Sequence, residues 1–380
     1  MFRLLLKPIV LLAVTLSVVC VSTEGLIRLL VSESDSRIQG LVMPDSWRTF
    51  KLVPGFHGLH TSPEFSVSIH INSTGLRDRE IALVKPPGTY RILVLGDSFT
   101  FGNGVEAEQS YPKRLEEMLN ASLACGKNTA FEVINAGVSG YGTFHEEIFL
   151  KQDGIKYNPD FLIVQFYPDN DLTDNLYPFS YEVRQGFLVL KSTGIPDWLL
   201  DLKDYFRIHS HAYRFFGNRY QLLKIRFGMQ PQFAASMGLY LKSPSPQIRQ
   251  GWEATAKHLT EIVRVAREQG LGVMVIRNPR KDILDQDLWQ SLLRFQREAP
   301  ESADWDVPTR MTAELCRAQS IPCFDLTPLF RETPHPIDFY YRVDGHWNVR
   351  GHQMAAQWIF QRMRNLKDTC RGCGSLGANE

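Results

Sequence analysis

The stretch "RILVLGDSFTFGNGV", Arg91 to Val105, decides the fold. Its first half is a run of β-branched and leucine residues between an arginine and Gly96. That is the pattern of a strand buried on both faces in a parallel sheet. Asp97 and Ser98 follow where a turn is expected, just past the carboxyl end of the strand. Ligands of open α/β sheets bind along that edge, so a hydroxyl placed there can meet a substrate. Ser98 is therefore a nucleophile, part of a nucleotide-binding turn, or a cap for the next element.

Working outward, strand signals recur at Arg91 to Gly96, Glu132 to Asn135, Phe161 to Phe166, Gly272 to Ile276 and Pro322 to Asp325. Amphipathic helical segments lie between them, among them Pro112 to Leu123 and Trp252 to Gln269. The second carries Leu259, Ile262, Val263 and Ala266 on one face and Gly270 as its stop. Five such units predict an α/β fold, a doubly wound parallel sheet of about five strands. Residues 32–88 are punctuated by Gly, Pro and Asn and read as an amino-terminal flap of short strands and turns. The core domain is expected over 89–366, interrupted by an inserted cap at 172–250, with a tail at 367–380. The insertion contains "DYFRIHSHAYRFFGNRYQLLKIRF" and no strand signal of the main sheet. It reads as an amphipathic helical cap with a solvated face, or alternatively as a surface for substrate or a bilayer.

Residues 1–31 read as a signal peptide or membrane anchor. Arg3 and Lys7 precede a run of about fifteen apolar residues, "PIVLLAVTLSVVCVS". Val19, Cys20 and Val21 stand where a cleavage site would carry alanines, which favours an anchor. The basic residues ahead of the run hold the amino end in the cytoplasm and place the bulk of the chain outside, membrane-anchored or secreted. A formal charge of +1 with 22% charged residues gives no global basic field for nucleic acid. Of six cysteines, Cys316 with Cys323 and Cys370 with Cys373 are spaced for local disulfides in an oxidising compartment. A single CxxC supplies only two zinc ligands, and Cys125 has no obvious partner.

Gly102-x-Gly104-x-x-Ala107 matches a dinucleotide fingerprint by letter, but five residues separate the strand from the first glycine. A true fingerprint glycine follows the strand directly, so these glycines shape a loop. Around Ser139 the sequence is GVSGY, with Tyr141 where a G-x-S-x-G elbow needs its second glycine. Ser98 remains, and a serine nucleophile requires a histidine base and a group that fixes the histidine's tautomer. "VDGHWN" offers His346 and Asp344 on a loop after the last strand, emerging on the same edge as Ser98. Acyl transfer also needs donors for an oxyanion. Gly140 in "NAGVSGYGT" and Asn170 in "FYPDNDLTDN" are candidates, although Gly and Asn are also ordinary turn residues. Asp97 is expected to bind nearby backbone N–H groups, because adjacent residues at a strand end point apart. Asp169, Asp171 and Asp174 cluster without a histidine nearby, which does not favour a metal site.

"GDSFTFG", "NAGVSGYG", "PDND" and "DGHWN" occur in the order of the four signature blocks of the SGNH (GDSL-type) hydrolase superfamily, which this chain resembles over about Arg91 to Arg364. The resemblance implies a flavodoxin-like α/β/α sandwich, with Ser98 as nucleophile, His346 as base and Asp344 as its orienter. It implies an oxyanion hole from the N–H groups of Ser98, Gly140 and Asn170, and no cofactor or metal. Two blocks depart from the usual pattern: Pro168 replaces the glycine of Gly-x-Asn-Asp, and Asp344-Gly345-His346 is one residue shorter than Asp-x-x-His. The shortened block is similar to the alginate O-acetylation branch. The expected activity is that of a serine esterase acting on an ester, with O-acylated carbohydrate as substrate class. An O-acyltransferase to a cell-envelope polysaccharide and a catalytically silent glycan-binding scaffold are the alternatives.

Overall fold

The computed structural model describes residues 2–30, 38–122, 130–192, 194–226, 237–296 and 298–365. In chain order the elements are α1 (Phe2–Leu30), β1 (Val42–Asp45), β2 (Thr49–Leu52), β3 (His57–Thr61), β4 (Ser66–His70), β5 (Thr89–Gly96), α2 (Ser98–Phe101), α3 (Tyr111–Ala121) and β6 (Ala130–Gly137). They continue with α4 (Thr143–Gln152), β7 (Phe161–Phe166), α5 (Pro168–Leu176), β8 (Tyr181–Arg184), β9 (Phe187–Leu190), α6 (Asp197–His209) and α7 (His211–Arg226). The last are α8 (Pro246–Glu268), β10 (Gly272–Arg277), α9 (Gln286–Gln296), α10 (Val307–Gln319), β11 (Cys323–Asp325), α11 (Thr327–Arg331) and α12 (Val349–Asn365).

Five strands form one parallel sheet in the order β11-β10-β7-β5-β6. Counted within the sheet this is 2-1-3-4-5, the flavodoxin-like order, and its switch point is the first strand, β5. Alternate residues of β5 serve two cores. Leu93 and Leu95 pack with α4 and α8 through Leu150, Leu259 and Ile262 on one face. Ile92 and Val94 pack with α3 and α12 through Leu115 and Ile359 on the other. A strand fully apolar over Ile92 to Leu95 thus has helices on both sides, the doubly wound arrangement that its composition predicts and the α/β/α sandwich that the resemblance implies.

Residues 38–88 carry two antiparallel hairpins, β1-β2 and β3-β4. Their inward residues Phe50, Leu52, Val67 and Ile69 form a third core with Phe101, Val138 and Tyr141, which follow β5 and β6 directly. The flap therefore packs on the chain just beyond the strand ends. A third hairpin, β8-β9, turns through Gln185 and Gly186, both with positive φ (50° and 80°), as a two-residue primed turn requires. One expected boundary moves: α8 starts at Pro246, six residues before Trp252, because the Ser245 hydroxyl caps the Ile248 N–H at 3.3 Å and proline suits the first helical turn. Cys316 and Cys323 form a disulfide with a Cα separation of 5.7 Å. Cys125, Cys370 and Cys373, with the tail 367–380, lie outside the described residues.

By its contacts the chain divides into two compact units, residues 1–37 with 192–231, and residues 38–191 with 232–380. The second unit holds the sheet, the flap and every residue singled out for chemistry. The first consists of α1, α6 and α7, and α1 is long and apolar enough to cross a membrane.

Candidate active site

β5 delivers Gly96 and Asp97 to the switch point, and Ser98 opens the one-turn helix α2. Asp97 caps that turn: its carboxylate accepts the Phe99 N–H at 2.8 Å, as the sequence leads one to expect. The Gln165 side chain in β7 accepts the Asp97 N–H at 3.1 Å and the Thr100 hydroxyl at 3.0 Å, which ties the Ser98 turn to the neighbouring strand. Ser98 is half-buried, and its own N–H has no acceptor among the described residues.

Some 250 residues further along the chain, the loop before α12 brings His346 to this point. Its Nε2 lies 2.7 Å from Ser98 Oγ, and its Nδ1 lies 2.5 Å from Asp344 Oδ1. The same carboxylate oxygen accepts the His346 backbone N–H at 3.3 Å. Gly345 between them has φ +85°, a left-handed turn that folds the Asp344 side chain back onto the histidine two residues on. This turn explains how the shortened Asp-x-His block still reaches the ring. Burial pushes the Asp344 carboxyl up, but the hydrogen bonds and charge of His346 outweigh it and hold the group below the usual carboxylate range. Phe99 and the fully buried Trp347 brace the ring, with centroids of Phe99 at 5.1 Å from His346 and 4.9 Å from Trp347.

Gly140 and Asn170 follow β6 and β7, the two strands that flank β5, so they stand on either side of Ser98 along the sheet edge. The Gly140 N–H has no hydrogen-bond partner among the described residues. Asn170 lies in the first turn of α5, which Pro168 starts in place of the usual glycine, a position where proline's missing N–H costs nothing. Its side-chain amide leans on the Asp97 carboxyl, and its Oδ1 is buried without a partner among the described residues. Asp169 pairs with Arg280 at 3.3 Å and accepts the Tyr240 hydroxyl at 2.9 Å, while Asp171 accepts the Tyr167 N–H at 2.9 Å. These acids thus serve separate partners, and among the described residues no group of three or more His, Cys, Asp and Glu is disposed to hold a metal.

Gly104 shows why the loop after α2 looks like a fingerprint without being one. Its φ is +83°, and a Cβ there would meet the Tyr341 ring at 2.5 Å. The Tyr341 hydroxyl donates to Gly104 O at 2.6 Å, which joins the loop after Ser98 to the loop that carries His346.

Two supporting residues escape a reading of motifs. Arg77, fully buried, donates to four backbone carbonyls, including Phe101 O, Gly102 O and Val105 O of the loop after Ser98. Glu64, in the turn between β3 and β4, accepts the N–H groups of Arg342, Val343 and Asp344 at 2.6, 2.9 and 2.8 Å. The flap thus fixes the loop that carries Asp344. Glu64→Ala is expected to lower kcat roughly 10- to 100-fold while leaving KM nearly unchanged, as loss of orientation does. Steady-state kinetics with unchanged kcat would show that the loop holds its shape without this clamp.

Behind Ser98 lies a buried set of carboxyls: Asp97, Glu146, Asp171 and Asp174. Burial raises them all, Asp97 to about 6 and Asp174 to about 7, with Glu146 and Asp171 well above the usual range. Both Glu146 carboxyl oxygens lack a hydrogen-bond partner among the described residues. A carboxyl whose folded pKa is raised holds a proton that the unfolded chain has released, so its contribution to stability is full below about 4 and is lost as pH rises through the folded value. Glu146→Gln, which cannot ionise, is expected to match the wild type near pH 4. Above pH 7 it should be more stable by about 1–3 kcal/mol, the usual cost of a buried unsatisfied group. Thermal unfolding across pH 4 to 8 measures the difference, and a variant less stable than wild type at pH 8 contradicts it.

Residues 239–374 match the sequence profile of a family described as the SGNH hydrolase-like domain of the acetyltransferase AlgX. That is the superfamily which the four sequence blocks resemble, and the branch which the shortened last block resembles. No curated protein matches the chain. Among solved structures it is similar to a lipase/acylhydrolase from Enterococcus faecalis, at 14% identity over 73% of this chain and 96% of that one, with a TM-score of 0.38. An acetyl xylan esterase aligns at 12% identity over 72% and 98% of the two chains, with a TM-score of 0.37. A two-domain esterase active on acetylated mannans aligns at 12% identity over 77% and 53%, with a TM-score of 0.39.

Proposed function

We propose that this chain is an extracytoplasmic serine esterase that releases acyl groups from an O-acylated carbohydrate through a covalent acyl-enzyme. The observation that carries the reading is the hydrogen-bonded relay Ser98 Oγ, His346 Nε2, His346 Nδ1, Asp344 Oδ1 at the switch point of the sheet. In the first half-reaction Ser98 Oγ attacks the ester carbonyl carbon and its proton passes to His346 Nε2. Asp344 accepts the Nδ1 hydrogen bond and stabilises the imidazolium. The oxyanion is held by the N–H groups of Ser98 and Gly140 and by the Asn170 amide. Collapse breaks the bond to the sugar oxygen, which takes the proton from Nε2. Water, deprotonated by His346, then attacks the acyl-serine, and Ser98 regains its proton as the acid leaves. The free N–H groups of Ser98 and Gly140 support the oxyanion role.

A second reading, an O-acyltransferase, is favoured by the profile matched over 239–374, which is described as that of an acetyltransferase. It shares the first half-reaction, and a sugar hydroxyl takes the place of water. Release of p-nitrophenol from p-nitrophenyl acetate, with and without an oligosaccharide acceptor, separates the two. Turnover in water supports the esterase, and turnover that requires the acceptor and acetylates it supports the transferase. A folded chain silent in both assays counts against each.

A further inference from the structure

In the unit formed by residues 1–37 and 192–231, α6 is built inside out. Its charged pair, Asp204 and Arg207, is buried and mutually bonded. Trp198, Leu202, Tyr205 and Phe206 instead face outward, each 43% to 65% exposed. On α7, Tyr213, Phe216, Tyr220 and Leu223 recur at intervals of three and four and are 40% to 60% exposed, so they form one stripe. The Phe206 and Tyr213 rings stack at 6.2 Å, which joins the two stripes into one apolar surface. A helix pair that turns its rings outward and its ion pair inward is complementary to an apolar medium.

The same unit indicates which medium. Val10 to Leu30 of α1 is only 6% buried and is apolar enough to span a bilayer. Near its carboxyl-terminal end Glu24 accepts the Ser210 hydroxyl and the N–H groups of His211 and Ala212 at 2.7, 2.8 and 2.9 Å. Arg28 donates to His209 O at 2.7 Å. The junction of α6 and α7 is thereby fastened just past Ser22, where the uncharged apolar run of α1 ends and a spanning helix meets headgroups. Six Lys and Arg against three Asp within 197–226 give the hairpin a positive balance suited to anionic headgroups. Tyr and Trp among them are the residues of the membrane interface.

We propose that α6 and α7 form an interfacial hairpin that lies in the headgroup region of a bilayer, at the outer end of α1. The occupant of the apolar surface is lipid, so the chain attaches through two elements, one crossing the membrane and one lying on it.

The test uses the full chain reconstituted in vesicles of phosphatidylcholine and phosphatidylglycerol, with an environment-sensitive fluorophore at Leu202→Cys or Phe216→Cys. Val84→Cys, 84% exposed in the flap, is the control, and wild type is labelled in parallel to subtract native thiols. Brominated acyl chains should remove about half or more of the emission at 202 and 216 and leave 84 unchanged, since an interfacial helix buries its apolar face roughly 5–10 Å into the headgroup boundary. Equal insensitivity at all three sites, in chains that float with the vesicles, overturns the proposal. So does an emission shift at 202 and 216 that follows protein concentration and ignores bromine, because the surface is then covered by a second copy.

Discussion

Ser98→Ala is expected to abolish ester turnover, with kcat falling on the order of 10⁴- to 10⁶-fold while the fold stays intact. Removing Oγ deletes the attacking atom itself. The surroundings lose only the 2.7 Å hydrogen bond to His346, so the turn at position 98 keeps its Asp97 cap and its Gln165 tie. His346→Ala should cost about as much and Ser98→Ala/His346→Ala little more than either, because residues that act as a unit lose their effect together. Asp344→Asn should cost less, since Nε2 can still reach Ser98 while the tautomer is no longer fixed. The measurement is p-nitrophenyl acetate hydrolysis with unfolding curves for each variant. Activity surviving in a folded Ser98→Ala chain would place the reaction elsewhere, and additive losses would mean that the two side chains do not work as one relay.

Arg77→Met is expected to produce the largest loss of stability among the substitutions considered. The guanidinium has no exposed surface, donates to Ser68 O at 3.1 Å, Phe101 O at 3.0 Å, Gly102 O at 2.6 Å and Val105 O at 2.7 Å, and lies 4.9 Å from the Phe101 ring centroid. Burial pulls its pKa down to about 10, so it is still charged at neutral pH. Methionine fills most of the volume but leaves Phe101 O and Val105 O buried and unpaired, takes the side-chain donor from Ser68 O and leaves Gly102 O only the Val105 N–H at 3.2 Å, at a cost of about 3–5 kcal/mol or a fall in Tm of roughly 10 °C. Lysine keeps the charge without the fork and should recover only part. Because three of the four carbonyls belong to the loop after Ser98, activity should drop along with stability. Thermal unfolding is decisive, and a variant within 1 kcal/mol of wild type would mean that the loop finds other donors.

Supporting residues of this kind separate what is local in the chain from what is not. The alternation of strand and helix is local, because a fully apolar run such as Ile92 to Leu95 can exist only between two layers. The same run placed Ser98 at a strand end. His346 and Asp344 were legible because a histidine and a carboxylate sit two residues apart. Pro246 was missed as a helix start because the hydrophobic period of α8 becomes evident only further along, while its cap is a single serine.

Arg77, Glu64 and Glu146 were silent for a different reason. Each is an ordinary charged residue in sequence; the partners of Arg77 and Glu64 lie 9 to 280 residues away, and Glu146 is set apart by its burial alone. By itself the sequence determined the sheet, the strand ends and the residue types that meet there, since these follow from periodicity and from the chemistry a hydroxyl needs. Tertiary structure alone decided that Ser98 and His346, 248 residues apart, come within 2.7 Å, that Glu64 and Arg77 clamp their loops, and that α6 turns its rings outward. Proximity between distant segments depends on how layers and loops close on one another, and no local pattern encodes that distance.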